Sequence, residues 1–303
     1  MPERLSIAIP TRNRLPYLRD LLGAFEAQIR ETGVTPDEVR LYISDNAATD
    51  ETPAYCEALA ARLPHVLYSR NPQNIGAAAN VRRCARLAAG RHAWILGDDE
   101  LLEPGALRHV LAALAAEPDL GLLLLFDTHY ESRLPQPSRP PTYRDYAAAC
   151  ARLNPHALIE TTLVSSNVYR SDLFDHALAE ASDRTDFPHS YGWTAGLMRT
   201  PAAVLVAGFP AITIRPRRAA SVDGEWPQHL EQSWLELLRW QRDTMQLGDL
   251  SPEAAVAEVR RRWLARVKRN PWAYLRDNLA FLKDPQAWRF FLKRLGFHSR
   301  KKR

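Results

Sequence analysis

Three consecutive acids, Asp98-Asp99-Glu100, follow an apolar run from Ala93 to Leu96 with only Gly97 between them. A short apolar run bounded by glycine reads as a buried strand. In an open parallel sheet, the carboxyl ends of such strands face the ligand crevice. Adjacent carboxylates repel one another there, so a positive group is expected between or above them. A hard divalent cation, Mn2+ or Mg2+, carrying a substrate's phosphates meets that need. The triplet also reads as a solvated acidic turn opening the next helix, where acids suit the helix dipole.

The acids must be held by the elements around them, and the first half of the chain alternates strand and helix patterns. Leu5 to Pro10 is a β-run, and Tyr17 to Ile29 puts Leu18, Leu21, Leu22, Phe25 and Ile29 on one helical face. Val39 to Ser44 and His65 to Arg70 read as strands, with a helix from about Pro53 to Arg62 between them. A helix from Ala77 to Ala88 precedes the acid-tipped strand; helix Pro104 to Ala115 and strand Leu120 to Phe126 close this half. Such alternation with short loops predicts a doubly wound, mainly parallel sheet.

Beyond Phe126 the pattern weakens. Leu134 to Thr142 carries four prolines and reads as a loop or lid. Leu158 to Tyr169 reads as a helix end or strand around Ser165-Ser166-Asn167, and Pro201 to Ile214 as a strand pair broken at Gly208 and Pro210. Helices are expected at Gln232 to Met245, after the Ser251-Pro252-Glu253 start signal, and around Trp272–Leu282 and Trp288–Leu295. The expected organisation is 1–126, a nucleotide-binding α/β half; 127–230, its acceptor-binding half; and 231–303, a basic helical extension.

The first two loops after strands, Pro10-Thr11-Arg12-Asn13-Arg14 and Asp45 to Asp50, are where such a sheet meets a nucleotide. Asp45 suits a base N–H or a ribose hydroxyl, and Arg12 or Arg14 a phosphate; Asp45-Asn46 equally reads as an Asx-type turn. No Gly-x-Gly-x-x-Gly follows the first strand and no Gly-Lys-Ser/Thr loop occurs, so the backbone cradles for dinucleotides and Walker-type phosphates are missing. A bound nucleotide would then need a metal for its diphosphate.

These loops, with Arg70-Asn71 to Asn74-Ile75-Gly76 to Asn80, and Ile95-Leu96-Gly97-Asp98-Asp99 with Pro104-Gly105-Ala106-Leu107, resemble family 2 glycosyltransferases of the GT-A fold over roughly residues 4–215. The Leu-Gly-Asp-Asp form and the later Ser165-Ser166-Asn167 look most like the abequosyltransferase-like enzymes of bacterial surface-polysaccharide synthesis. The resemblance implies a GT-A sheet and a nucleotide-sugar donor, a UDP-sugar before others. Its site would be Pro10, Thr11, Arg12, Arg14, Asp45, Asn74, Gly76, Asn80 and Asp98. Asp45 would sit on the base, Asp98 near the ribose and Asp99 on the metal, for inverting transfer to a glycan or lipid-linked acceptor. One departure stands out: the first acid of the family's common Asp-x-Asp is here Leu96. Whether Asp98 or Asp99 ligates metal directly therefore stays open.

Inversion needs a base for the acceptor hydroxyl. In similar enzymes it is an acid ahead of a helix in the second half, which points to Ser182 to Trp193, read as a polar loop broken by Pro188 and Gly192. Asp186 is preferred to Asp183 because Phe187 beside it would partly bury it; both acids also read as capping a helix that starts near Pro188. His189 is a rival base or a third metal ligand, or a packed core histidine.

Net charge is +5, yet residues 251–303 hold 15 Lys/Arg against 4 Asp/Glu, or +11, leaving −6 on the rest. Trp288, Phe291, Leu292 and Leu295 with Arg289, Lys293 and the closing Arg300-Lys301-Lys302-Arg303 suit an anionic membrane surface; packing on the body is the alternative. An acidic body without a groove-reading motif speaks against nucleic acid. Three cysteines without metal or disulfide spacing, no span-length apolar run and no signal-peptide pattern point to a cytoplasmic protein, peripheral on the inner face of the membrane. A nucleotidyltransferase acting on sugar phosphates is the enzymatic alternative, but it would bring a Gly-rich basic loop after the first strand. A non-catalytic glycan- or membrane-binding scaffold is the other; intact Asp45, Asp98 and Asp99 argue against it.

Overall fold

The computed structural model describes residues 3–127, 138–181, 186–214 and 228–269. The first half runs β1 (Leu5–Thr11), α1 (Leu15–Thr32), β2 (Val39–Asp45), α2 (Thr52–Arg62), β3 (Val66–Arg70), α3 (Ala77–Leu87), β4 (His92–Ile95), β5 (Glu100–Leu102), α4 (Ala106–Ala116) and β6 (Leu122–Asp127). The second runs α5 (Tyr143–Leu153), α6 (Ala157–Glu160), β7 (Asn167–Arg170), α7 (His176–Ala181), α8 (Pro188–Arg199), β8 (Val204–Ile214), α9 (Gln228–Met245) and α10 (Pro252–Arg269).

Among the described residues these strands form one sheet in the order β3-β2-β1-β4-β7-β6-β8-β5. The first four are parallel, as the β-α alternation predicts. β1 has β2 on one side and β4 on the other, so the chain winds outward to β3 and then returns across β1. That reversal makes the crevice beyond the carboxyl ends of β1 and β4 the place where such a sheet binds ligands. Helix α1 buries Leu18, Leu21, Leu22, Phe25 and Ile29 against this sheet, each such side chain worth about 1.5–3 kcal/mol. It ends where Gly33 takes the left-handed conformation, φ 67°, and returns its N–H to the Ile29 carbonyl.

Several elements differ from expectation. β7 and β5 run antiparallel to their neighbours. Residues 204–214 are one strand rather than a broken pair, because register shifts against β6 absorb the irregularity around Pro210. The stretch read as a loop from Pro188 onward is helix α8, which accepts Pro188 in its first turn. At the end of the proline-rich stretch, Ser138 bridges to Val206 and Thr142 caps α5 by accepting the Asp145 N–H. The segment Leu158 to Tyr169 resolves into α6, a 3-10 turn at Val164–Ser166 and β7. Helix α9 joins the body through Gln241, whose amide donates to the Tyr143 hydroxyl at 3.2 Å. The helices expected around Trp272 and Trp288, and Asp183, lie outside the described residues. No described helix is long and apolar enough to cross a membrane.

Candidate active site

The parallel register places Thr11 opposite Asp45, and Asp45 opposite Arg70, so three strands end along one line. β4 runs level with β1, with Ala8 opposite Ile95, and the Leu96 N–H still reaches the Ala8 carbonyl at 2.9 Å. Two residues later Asp98 turns back toward the end of β1. Thr11 Oγ1 donates to Asp98 Oδ2 at 2.8 Å. Arg14 Nη1 bridges the acid pair, 3.0 Å from Asp98 Oδ1 and 3.1 Å from Asp99 Oδ2. The positive group that adjacent carboxylates require is therefore present within the chain. Asp98 is buried, 4% exposed, whereas the Asp99 side chain keeps 16% and Arg14 36% of its surface.

Burial pushes the Asp98 carboxyl above its ordinary range, against the pull of Arg14 and the Thr11 hydroxyl. Arg14 is also partly buried, which disfavours its charge, but Asp98 and Asp99 outweigh this and raise its pKa. Glu100, the third acid, opens β5 and pairs with Ile214 in the sheet. Arg12 is exposed on the same loop. Asn13 adopts a left-handed φ of 54° and accepts the Thr49 N–H at 2.7 Å, binding the loop after β1 to that after β2.

Asp45 is wholly buried. Its Oδ1 accepts the Ala48 N–H at 2.7 Å, the Asx-type turn that its sequence also allowed. Its Oδ2 accepts from the Tyr68 hydroxyl at 2.7 Å and lies 3.5 Å from Arg70 Nε. Asn46 is the hub of the neighbouring loop. Its Nδ2 donates to Asn74 Oδ1 and to the Gly76 carbonyl, and its Oδ1 accepts from Ile75 N–H and Asn71 Nδ2. Asn80 is buried behind them, exchanging hydrogen bonds with Ser44 and accepting from Asn71. Gly76 enters α3 at φ 85°, a conformation that suits glycine.

A third group joins the second half of the chain to β4. Ser165 accepts the Gly97 N–H on Oγ at 2.8 Å, and its carbonyl accepts the Trp94 indole N–H at 2.8 Å. Asn167 Nδ2 pins the carbonyls of Thr161 and Leu163. The Ser165-Ser166-Asn167 motif thus clasps the strand that ends in Asp98-Asp99. From the same segment, the Thr162 carbonyl accepts from His189 Nε2 at 2.9 Å and its hydroxyl accepts from Trp234 Nε1 at 3.1 Å. His189 is buried in α8, and burial lowers its pKa to about 4. Buried and tethered to the Thr162 carbonyl, the ring has the surroundings of a packed core histidine. Asp186, just before α8, is exposed rather than shielded by Phe187, and Ser233 Oγ donates to its Oδ2 at 3.0 Å.

Among the described residues no three His, Cys, Asp or Glu side chains gather into a metal cage. Magnesium-type ions need no such cage; they bind through one or two carboxylates plus substrate phosphates and water. Asp99, accessible beside the more enclosed Asp98, fits that mode.

The model of the glycosyl transferase family 2 matches residues 6–164. Over 119 residues the chain is 31% identical to abequosyltransferase RfbV of Salmonella typhimurium, a match covering 39% of this chain and 34% of that enzyme. S. aureus TarS 1-349 in complex with UDP-GlcNAc superposes with a TM-score of 0.56 at 17% identity, over 97% of this chain and 80% of that one. The mannosyltransferase PcManGT of Pyrobaculum calidifontis, in complex with GDP-Man and Mn2+, gives 0.54 at 14% identity, over 98% and 87%. With the two solved structures this chain shares the GT-A-like α/β fold.

Proposed function

The chain belongs to glycosyl transferase family 2, and from that premise we propose that it moves a sugar, with inversion, from a nucleoside-diphosphate donor to a glycan or lipid-linked acceptor in surface-polysaccharide synthesis. One observation carries the reading: Thr11 and Arg14 from the end of β1 meet Asp98 and Asp99 from the end of β4 at the sheet's switch point. In that crevice Arg14 offers charge to a diphosphate, and the acid pair would hold a divalent cation for it. The likeness to an abequosyltransferase and to proteins solved with UDP-GlcNAc and GDP-Man supports the donor class. UDP-sugars are the donors to try first.

In this reading the loops after β1, β2 and β3 hold the nucleotide. Asp45, held by the Ala48 N–H and the Tyr68 hydroxyl with Arg70 3.5 Å away, is the acid on the base. The Asn46–Asn74–Gly76 loop and Asn80 fix the wall beside it. Pro10 pairs with Ser44 one residue before the end of β1, and Arg12 and Arg14 offer charge to the diphosphate. Asp99, with Asp98 next to it, would hold Mn2+ or Mg2+, which supplies charge neutralisation to the leaving diphosphate. Asp186 is the base: it takes the proton of the acceptor hydroxyl as that oxygen bonds to the anomeric carbon, and the bond to the diphosphate breaks with its electron pair. Asp183 is the second candidate for that role. The basic C-terminal segment attaches the enzyme to an anionic membrane from the cytoplasmic side.

Calorimetry with UDP and GDP, with and without Mn2+, tests the donor site. Binding should strengthen by at least about tenfold with metal and lose that gain in Asp99→Ala. Equal affinity after chelation would remove the metal from the scheme. Asp186→Asn should bind nucleotide normally and lose about 10²-fold or more in transfer.

A further inference from the structure

We infer that Ser233 is a positioning residue for Asp186, and that helix α9, which lies beyond the stretch matched by the family model, thereby completes the acceptor side of the site. The inference rests on the reading of Asp186 as the base.

Asp186 is exposed and lies just before a helix, where a lone carboxylate would sample several rotamers. Two consecutive residues of α9 hold two consecutive residues of this loop. Ser233, only 4% exposed, donates its hydroxyl to Asp186 Oδ2 at 3.0 Å. Trp234 lays its ring parallel to Phe187, 4° between planes and 6.0 Å between centroids. The Trp234 indole N–H is itself anchored on the Thr162 hydroxyl, and Thr162 also takes the His189 N–H on its carbonyl. Three residues further on, Ser165 holds the Gly97 N–H at the end of β4. A continuous set of contacts therefore fixes the position of Asp186 relative to the Asp98-Asp99 pair, and Ser233 is its final link. Ser233 engages Oδ2, and among the described residues the acceptor's proton would go to Oδ1. Holding a base in one orientation acts on the chemical step and not on donor affinity.

The test uses the full chain and the hydrolysis of UDP-GlcNAc, GDP-mannose and further nucleotide sugars, with water as acceptor, in four variants. Ser233→Ala should lower kcat by about tenfold while the donor KM stays within about twofold. Ser233→Thr, which keeps the hydroxyl, should restore kcat. Asp186→Asn/Ser233→Ala should be no slower than Asp186→Asn alone, because a residue acting only through Asp186 has nothing left to lose. Thermal melts of each variant establish that it is folded. Unchanged kcat in Ser233→Ala, a loss confined to KM, failure of Ser233→Thr to rescue, or a further loss on top of Asp186→Asn would each overturn the inference while Asp186 stands as the base. Full activity in Asp186→Asn would instead overturn the base reading, and this inference with it.

Discussion

Asp98 carries a charge that the fold does not favour, since burial raises its carboxyl above the usual 3.8. For an acid with a raised folded-state pKa, the stabilising contribution is complete below the unfolded value and fades as pH rises through the folded one. The charged form is thus held at a cost, softened by Arg14 and Thr11. Asp98→Asn should melt at an equal or higher temperature than the native protein at pH 7, with the advantage vanishing as pH falls below about 4, and should bind nucleoside diphosphate poorly. A lower melting temperature at pH 7 would mean that the Arg14 pairing outweighs the burial. Asp98, Asp99, Thr11 and Arg14 were legible because strand-loop spacing alone brings them to one edge. Asn13, Asn46 and Ser165 stood in the motifs without the contacts they make being legible, and Ser233 gave no signal at all. Each works through a partner tens of positions away in the chain, 68 for Ser165 and Gly97, 47 for Ser233 and Asp186. Locally, such residues read only as turn formers.

At the scale of elements, α8 is where sequence and structure part most instructively. Pro188 and Gly192 look like breakers, but one opens the helix and the other lets it approach its neighbour. A Cβ at Gly192 would fall 2.4 Å from the Phe174 ring, and one at Gly196 only 1.4 Å from the Leu173 carbonyl oxygen. Glycines four apart give the helix a flat face against the 3-10 turn at Ser171–Leu173 and Phe174. A ring can rotate aside while a backbone carbonyl cannot, so Gly196→Ala should destabilise by about 3 kcal/mol and Gly192→Ala by about 1–2. Urea unfolding of both variants checks the order; equal small losses would show that α8 does not pack this way. The parallel strands and their helices were legible through alternating periods. β5 was not, and β7 was legible only as one of two readings, since such short strands take their direction from partners. Pro210 misled for a related reason: whether a proline ends a strand or sits in an irregular pairing depends on the neighbour it faces.

On the scale of the whole molecule, charge divides the chain as sharply as folding does. Residues 285–303 contain seven Lys/Arg and no acid, together with Trp288, Phe290, Phe291, Leu292, Leu295 and Phe297. Aromatic anchors beside basic residues suit a surface of anionic lipid, at about 1 kcal/mol for each basic residue near the headgroups, and a lipid-linked acceptor would be presented at such a surface. Deleting 285–303 should leave nucleotide binding and the melting temperature close to those of the full chain and abolish co-sedimentation with anionic liposomes. Neutral liposomes should pellet little of either protein. Binding by the full chain should weaken as salt rises, because exposed charges are screened beyond about 8 Å at physiological ionic strength. If the segment instead packs against the body, its removal takes apolar area out of the core. The truncated protein would then melt several degrees lower and bind apolar dyes, with no vesicle affinity to lose. Equal pelleting of the two proteins would end the membrane reading. Loss of pelleting that persists unchanged at high salt would replace the electrostatic part of it with insertion of the aromatic residues alone.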